Sequence, residues 1–164
     1  NVHLINESLF QTNRPTKMSS FSSGNGERPT VPPEYDCVRR KAKVSIYVSD
    51  NSGFAPTSTY KHWALVFEFE DEAVRVIEGI GFEGLLLPSF TKVKDPSAKF
   101  NSRKGSVTIS PELIRDLALN NPYNNQTFNI ITCNCQNWVN AILEQLGFAK
   151  DTTVGDVIGI FIGQ

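Results

Sequence analysis

Residues 127–147 read TFNIITCNCQNWVNAILEQLG. The run Thr127 to Thr132 is rich in β-branched and aromatic residues, which predicts a strand. Asn134 is a good helix N-cap, which would put Cys135 at the first helical position. Trp138, Val139, Ile142, Leu143 and Leu146 then recur at helical spacing, and Gly147 supplies a C-cap. The stretch therefore predicts a strand, a tight junction carrying a cysteine, and an amphipathic helix whose buried stripe begins one turn beyond the thiol.

Working outward, Tyr60 to Phe69 is the clearest strand, and Ala73 to Gly79 is the next. Asp71-Glu72 between them reads as a two-residue hairpin turn, a register that would set Glu68 opposite Arg75. Arg39-Arg40-Lys41-Ala42-Lys43 leads into another predicted strand, Val44 to Val48. Residues 80–109 read as further short strands and loops. Ser110-Pro111-Glu112 predicts a second helix start, with Ser as N-cap, Pro at the first helical position and an acid in the first turn. Its expected core stripe is Leu113, Ile114, Leu117 and Ala118, closed by Asn120-Asn121-Pro122. The fold class expected is α+β, an antiparallel sheet packed against helices.

The 164 residues suit one domain. Residues 13–34, with four prolines, two glycines and several serines, read as a linker, so residues 1–34 are expected to form an N-terminal arm and 35–164 a single catalytic domain. Residues 4–10 could dock as a short strand or helix. Hydrophobic residues make up 40% and charged residues 20%, an ordinary globular mixture. Sixteen basic against seventeen acidic residues argue against a surface built to grip nucleic acid or anionic lipid. The basic run at 39–43 reads as a solvated face, or less readily as a site for an acidic partner. No apolar stretch is long enough to span a bilayer. No signal peptide is visible in a chain that opens at Asn1, so a cytoplasmic location is favoured and a secreted one stays open.

The chemistry narrows to few residues. With three cysteines and two histidines, any thiol or imidazole mechanism has little choice. A cysteine at a helix N-terminus meets unpaired N–H groups and the positive end of the helix dipole, which favour a thiolate and can stabilise an oxyanion. His62, at the start of the strongest strand, is the natural general base, with His3 the weaker candidate.

His62-Trp63-Ala64-Leu65, followed later by Asn134-Cys135-Gln136-Asn137-Trp138-Val139, resembles the circularly permuted papain-like fold. That group includes lecithin:retinol acyltransferase-like proteins, PPPDE isopeptidases and NlpC-type relatives. Its permuted members carry His on an early strand and a nucleophilic Cys later, at a helix start. The resemblance covers roughly residues 44 to 148 and implies Cys135 as nucleophile and His62 as base. Two departures stand out. Asn137-Trp138 follows where many relatives carry His or another aromatic. The next strand offers Arg75 and Glu78 where many relatives place a second His or a polar residue to orient the base.

Glu78 is the candidate to hold the second ring nitrogen of His62. In a two-residue hairpin, however, Glu78 would face away from His62, and a bulge near Gly79 or Gly81 would be needed. Without one, the unit is a dyad, or its third member is Asn129, Gln126 or a backbone carbonyl. Asn134 and Gln136 are expected beside the oxyanion. The function expected is a thiol hydrolase acting on a peptide or isopeptide bond of a peptide or protein substrate, without a cofactor or metal.

The alternatives are an acyltransferase or phospholipase on the same scaffold and a non-catalytic protein-binding module. The bland reading of Cys135 is an inert core thiol, against which its helix-start position and the strand His62 favour a nucleophile. Cys133 reads as packing or a resolving thiol, and Cys37 as structural or exposed. A metal site from Cys133, Cys135 and His62 lacks the second ligand pair of structural zinc sites. Trp63 and Trp138 are expected to fill core. Loops 49–59 and 95–105 are candidate substrate walls. The acceptor patterns at Asn6 and Asn125 are short enough to arise by chance, and the oligomeric state is left open.

Overall fold

The chain turns back on itself at residues 70–72, and the length of that turn sets the faces of the sheet. In the computed structural model, which describes residues 27–50, 61–93 and 102–151, β2 (Lys61–Phe69) and β3 (Val74–Phe82) pair antiparallel. The Phe69 N–H donates to Ala73 O (2.9 Å) and the Glu72 N–H to Phe69 O (3.1 Å). Glu72 sits at φ 65°. This is a three-residue loop, a turn followed by a left-handed residue, and not the two-residue loop expected. Glu68 consequently pairs with Val74, and Arg75 with Phe67. The expected Glu68–Arg75 pair is not formed; Arg75 donates instead to Glu34 (Nε–Oε2 2.8 Å).

The sheet grows on both sides of this hairpin. β4 (Leu85–Val93) joins β3 through Glu83-Gly84, both at positive φ, the two-residue connection that matches strand twist. β1 (Arg40–Asp50) pairs with the other edge of β2, and β5 (Ser102–Ile109) with β1. The order is β4-β3-β2-β1-β5, antiparallel throughout. The architecture is therefore α+β, as the sequence predicts.

Two helices complete the described chain: α1 (Pro111–Leu119) against β3 and β4, and α2 (Cys135–Gln145) against β2 and β3. The Ser110 side chain caps α1 by accepting from the Leu113 N–H. Ile114 and Ala118 are buried, but Leu113 is exposed: only part of the expected stripe faces the core. α2 ends on Gly147 at φ 82°, with Gly147 N–H to Glu144 O and Phe148 N–H to Leu143 O, the paired bonds of a Schellman cap. Leu65, Phe67, Ile77, Trp138, Val139 and Ile142 anchor the main core between sheet and helices. Ala64, Val66, Val74 and Val76 form a second cluster on the opposite sheet face.

Residues 127–132 do not form the expected strand. Thr127 and Asn129 make only isolated bridges, to Leu85 and Cys133. The Asn129 side chain accepts from the Ile131 and Thr132 N–H groups (2.8 and 3.1 Å), and its backbone closes on Cys133 in both directions. An Asn side chain that satisfies its neighbours' amides offers the backbone an alternative to a ladder, and here it outweighs β-branched composition. Ile130 and Ile131 are left exposed on the turn.

Residues 27–36 lie along the body. Thr30 O accepts from the Phe90 N–H, Pro32 O from Arg115 Nε, and Asp36 O from the Glu112 N–H. In the basic run, Arg40 pairs with Asp36 and Asp71 and lies 4.4 Å over the Phe69 ring, so part of that run is structural. Among the described residues no helix is long and apolar enough to cross a membrane.

Candidate active site

The start of α2 is held by a network built from three asparagines. Asn134 Oδ1 accepts from the Gln136 and Asn137 N–H groups (2.9 and 3.0 Å), while Asn137 Oδ1 accepts from the Asn134 N–H (3.2 Å). This is a capping box with Asn at the third helical position. Asn134 Nδ2 donates to Ile130 O (2.7 Å), which ties the helix start to the turn that Asn129 closes. Cys135 thus occupies the first helical position, as expected.

The thiol lies against the first residues of β2. The Trp63 N–H donates to Cys135 Sγ (3.4 Å), and Sγ is 3.7 Å from Lys61 O. Gln136 Nε2 donates to the same carbonyl (3.3 Å). These contacts bracket His62, whose side chain hydrogen-bonds with both Cys135 and Glu78. His62 Nε2 is 2.9 Å from Glu78 Oε1. With Nε2 committed to the carboxylate, Nδ1 is the ring nitrogen available to the thiol.

Glu78 reaches His62 because of the three-residue hairpin. It pairs with Ala64, two residues along β2 from His62, and side chains alternate with period two. Both groups therefore stand on one face, with no bulge at Gly79 or Gly81: the β3–β4 register runs unbroken from Val74 to Phe82. The bulge expected from the sequence corrects an error of one residue in the turn, and the error disappears with the turn's true length.

Gly79 has a different task. A Cβ there would stand 2.5 Å from Trp138 Cγ, so only glycine lets α2 approach β3 this closely. Trp138 lies one turn beyond Cys135, and this contact sets the height of the thiol above β2.

Burial defines the electrostatics. Cys135 is 2% exposed, His62 6% and Glu78 fully buried. Burial is the largest single influence on His62 and disfavours the charged ring. The hydrogen bonds and charges of Cys135 and Glu78 together outweigh it and push the imidazole up to about 10. The ring is thus held as an imidazolium through neutral pH.

The other candidates fall elsewhere. The Asn129 side-chain oxygen is committed to its own turn, and Gln126 Nε2 donates to Pro122 O, so these groups serve local backbone rather than His62. Asn134 works as a cap, its side-chain oxygen and one amide hydrogen committed to the helix start. Gln136 stands beside the thiol through their shared contact with Lys61 O. Cys133 is buried in the core, with its thiol pushed up by burial, and Cys37 is exposed. Trp138 is core, with Nε1 on Asn124 Oδ1 (2.8 Å), and Trp63 is buried beside it. Among the described residues, no three His, Cys, Asp or Glu side chains gather to hold a metal. Asn125 is exposed at φ 61°. His3, Asn6 and residues 4–10, and the candidate walls at 51–59 and 95–101, lie outside the described residues; 49–50 and 102–105 belong to strands.

Sequence reasoning did not find the backbone of Lys61 and Trp63, Gly79, or Asn137. The Asn134-x-x-Asn137 spacing was a readable signal for the last, as a capping box written with amides. Compared with models of known families, with curated proteins and with solved structures, the chain matches none.

Proposed function

We propose that this protein is a thiol hydrolase that cleaves a peptide or isopeptide bond through Cys135, His62 and Glu78. The observation that carries this reading is the buried hydrogen-bonded series Cys135–His62–Glu78, with the thiol at the first position of a capped helix. The order of parts also agrees with a permuted papain-like arrangement: base on β2, orienting carboxylate on β3, nucleophile on α2.

In this reading the Cys135 sulfur attacks the scissile carbonyl carbon, and the oxygen becomes an oxyanion near the Cys135 backbone N–H. The substrate displaces the contact between Gln136 Nε2 and Lys61 O, turning the Gln136 amide toward that oxyanion. His62 passes its proton to the departing amine as the C–N bond breaks, leaving a thioester. Water then gives a proton to His62, attacks the thioester carbon, and releases the acid and the thiolate. Glu78 keeps Nε2 as a donor, so that Nδ1 stays turned to sulfur.

The test is iodoacetamide labelling of each cysteine against pH, read by peptide mass, in the parent chain, His62→Ala and Cys135→Ala. Rapid labelling of Cys135 that slows at least tenfold in His62→Ala supports an activated nucleophile, and the same two variants should abolish turnover of peptide or isopeptide substrates. Slow labelling at Cys135, indifferent to His62, would overturn the mechanism and leave a binding module.

A further inference from the structure

We propose that Ser89 is a positioning residue for this site: its hydroxyl donates to the Glu78 carboxylate and holds it in the orientation that aligns His62. The inference rests on the thiol-hydrolase reading and deepens it. Ser89 on β4 is the direct cross-strand partner of Glu78, and Glu78 is the partner of Ala64 on β2. Ser89, Glu78 and Ala64 therefore form one row across the sheet, on the face that carries His62.

Ser89 is 1% exposed, and its hydroxyl has no hydrogen-bond partner in the present rotamer. A buried hydroxyl left in that condition is costly and calls for an explanation. Directly opposite residues have Cβ atoms about 5 Å apart, within reach of a Ser hydroxyl and a Glu carboxylate. Rotation about χ1, or one trapped water, closes the gap. Ala64 offers only a methyl on the other side of the row. The polar side chains of this row and its neighbourhood are His62, 2.9 Å from Glu78, Ser89 directly opposite it on β4, and Tyr47 on β1 beyond Ala64. Pro88, immediately before Ser89, fixes its own φ and stiffens the strand there. The groups facing His62 from the packed elements are Glu78 from β3 and Cys135 from α2.

The experiment uses the full chain, with iodoacetamide as the probe of Cys135 and NMR titration of the His62 ring as the second reading. Ser89→Ala should slow Cys135 alkylation at neutral pH about tenfold, the scale of one hydrogen bond to a charged group. It should also lower the His62 titration midpoint, while Ser89→Thr, which keeps the hydroxyl, retains both. Adding Ser89→Ala to Glu78→Gln should change little more than Glu78→Gln alone, because the two act in series. If the alanine variant does not fold, Ser89→Cys, close in shape with a weaker donor, carries the same expectation. A parental alkylation profile in Ser89→Ala, with Glu78→Gln and His62→Ala still slow, would overturn the role of Ser89 alone. If His62→Ala and Glu78→Gln also label like the parent, the reading of the site fails with it.

Discussion

Glu78→Gln keeps the size of the side chain and removes its charge, so it isolates what the buried carboxylate does to His62. The ring is raised from 6.5 to about 10, roughly 3.5 pH units, on the order of 5 kcal/mol in favour of the imidazolium. Burial opposes that shift, so Cys135 and Glu78 together supply more than the net. Cys135 is the larger of the two contributors and Glu78 the next, so removing the Glu78 charge should move the midpoint down from about 10 toward the ordinary imidazole value. The assay is NMR titration of the imidazole signals between pH 5 and 11, simplified because the chain has only two histidines. The sign for stability follows from linkage. A group whose folded value is raised contributes fully below its unfolded value, near 6.5, and loses that contribution as pH rises toward 10. The parent should therefore lose stability across that window, and Glu78→Gln should flatten the loss. A parental His62 midpoint near 6.5, or one that Glu78→Gln leaves unmoved, would refute the coupled pair.

The remaining predictions concern the frame that holds the site. Gly79→Ala puts a Cβ 2.5 Å from Trp138 Cγ; overpacking of this kind costs about 1–3 kcal/mol in urea unfolding, and the displaced α2 should slow Cys135 alkylation. Asn134→Ala removes the cap of α2 and its tie to Ile130 O, for about 1–2 kcal/mol of stability by the same assay. Glu34, whose side chain is 3% exposed, lies between Arg75 (2.8 Å) and Lys92 (3.2 Å), which are themselves cross-strand partners. Glu34→Gln leaves those two cations facing each other and should cost about 2–4 kcal/mol, nearly all through Arg75 because Lys92 is half exposed. Burial raises the Glu34 carboxyl, but Arg75, the Asp36 amide and Lys92 outweigh it and hold the group below its usual 4.5. Its contribution is thus present above pH 4.5 and lost as pH falls below, and an acid denaturation curve that is unchanged in Glu34→Gln would contradict this.

What could be read from the chain alone was local. Ser110, Asn134 and Gly147 marked helix ends because a cap depends on a few neighbouring residues, and the strands about 44–48 and 60–69 showed in their composition. The same locality misled at residues 127–132: four β-branched residues suggested a strand, while one Asn side chain closed the backbone into a turn. Leu113 followed the helical period yet stayed exposed, while Ile114 and Ala118 of the same helix are fully buried.

Cys135 as a helix-start thiol and His62 as its imidazole were legible in residue type and order. Glu78 was legible as a candidate, but its face was not. Side chains on a strand alternate with period two, so one residue more in the hairpin loop moves Glu78 from the far face to the His62 face. That loop length hinges on Glu72 adopting positive φ, an energy difference too small to read from Asp71-Glu72 by itself. The meeting of Cys135 with the start of β2 was decided later still, by Trp138 closing onto Gly79. Contacts between residues so distant in sequence leave no local pattern, because they depend on how two finished elements fit in space.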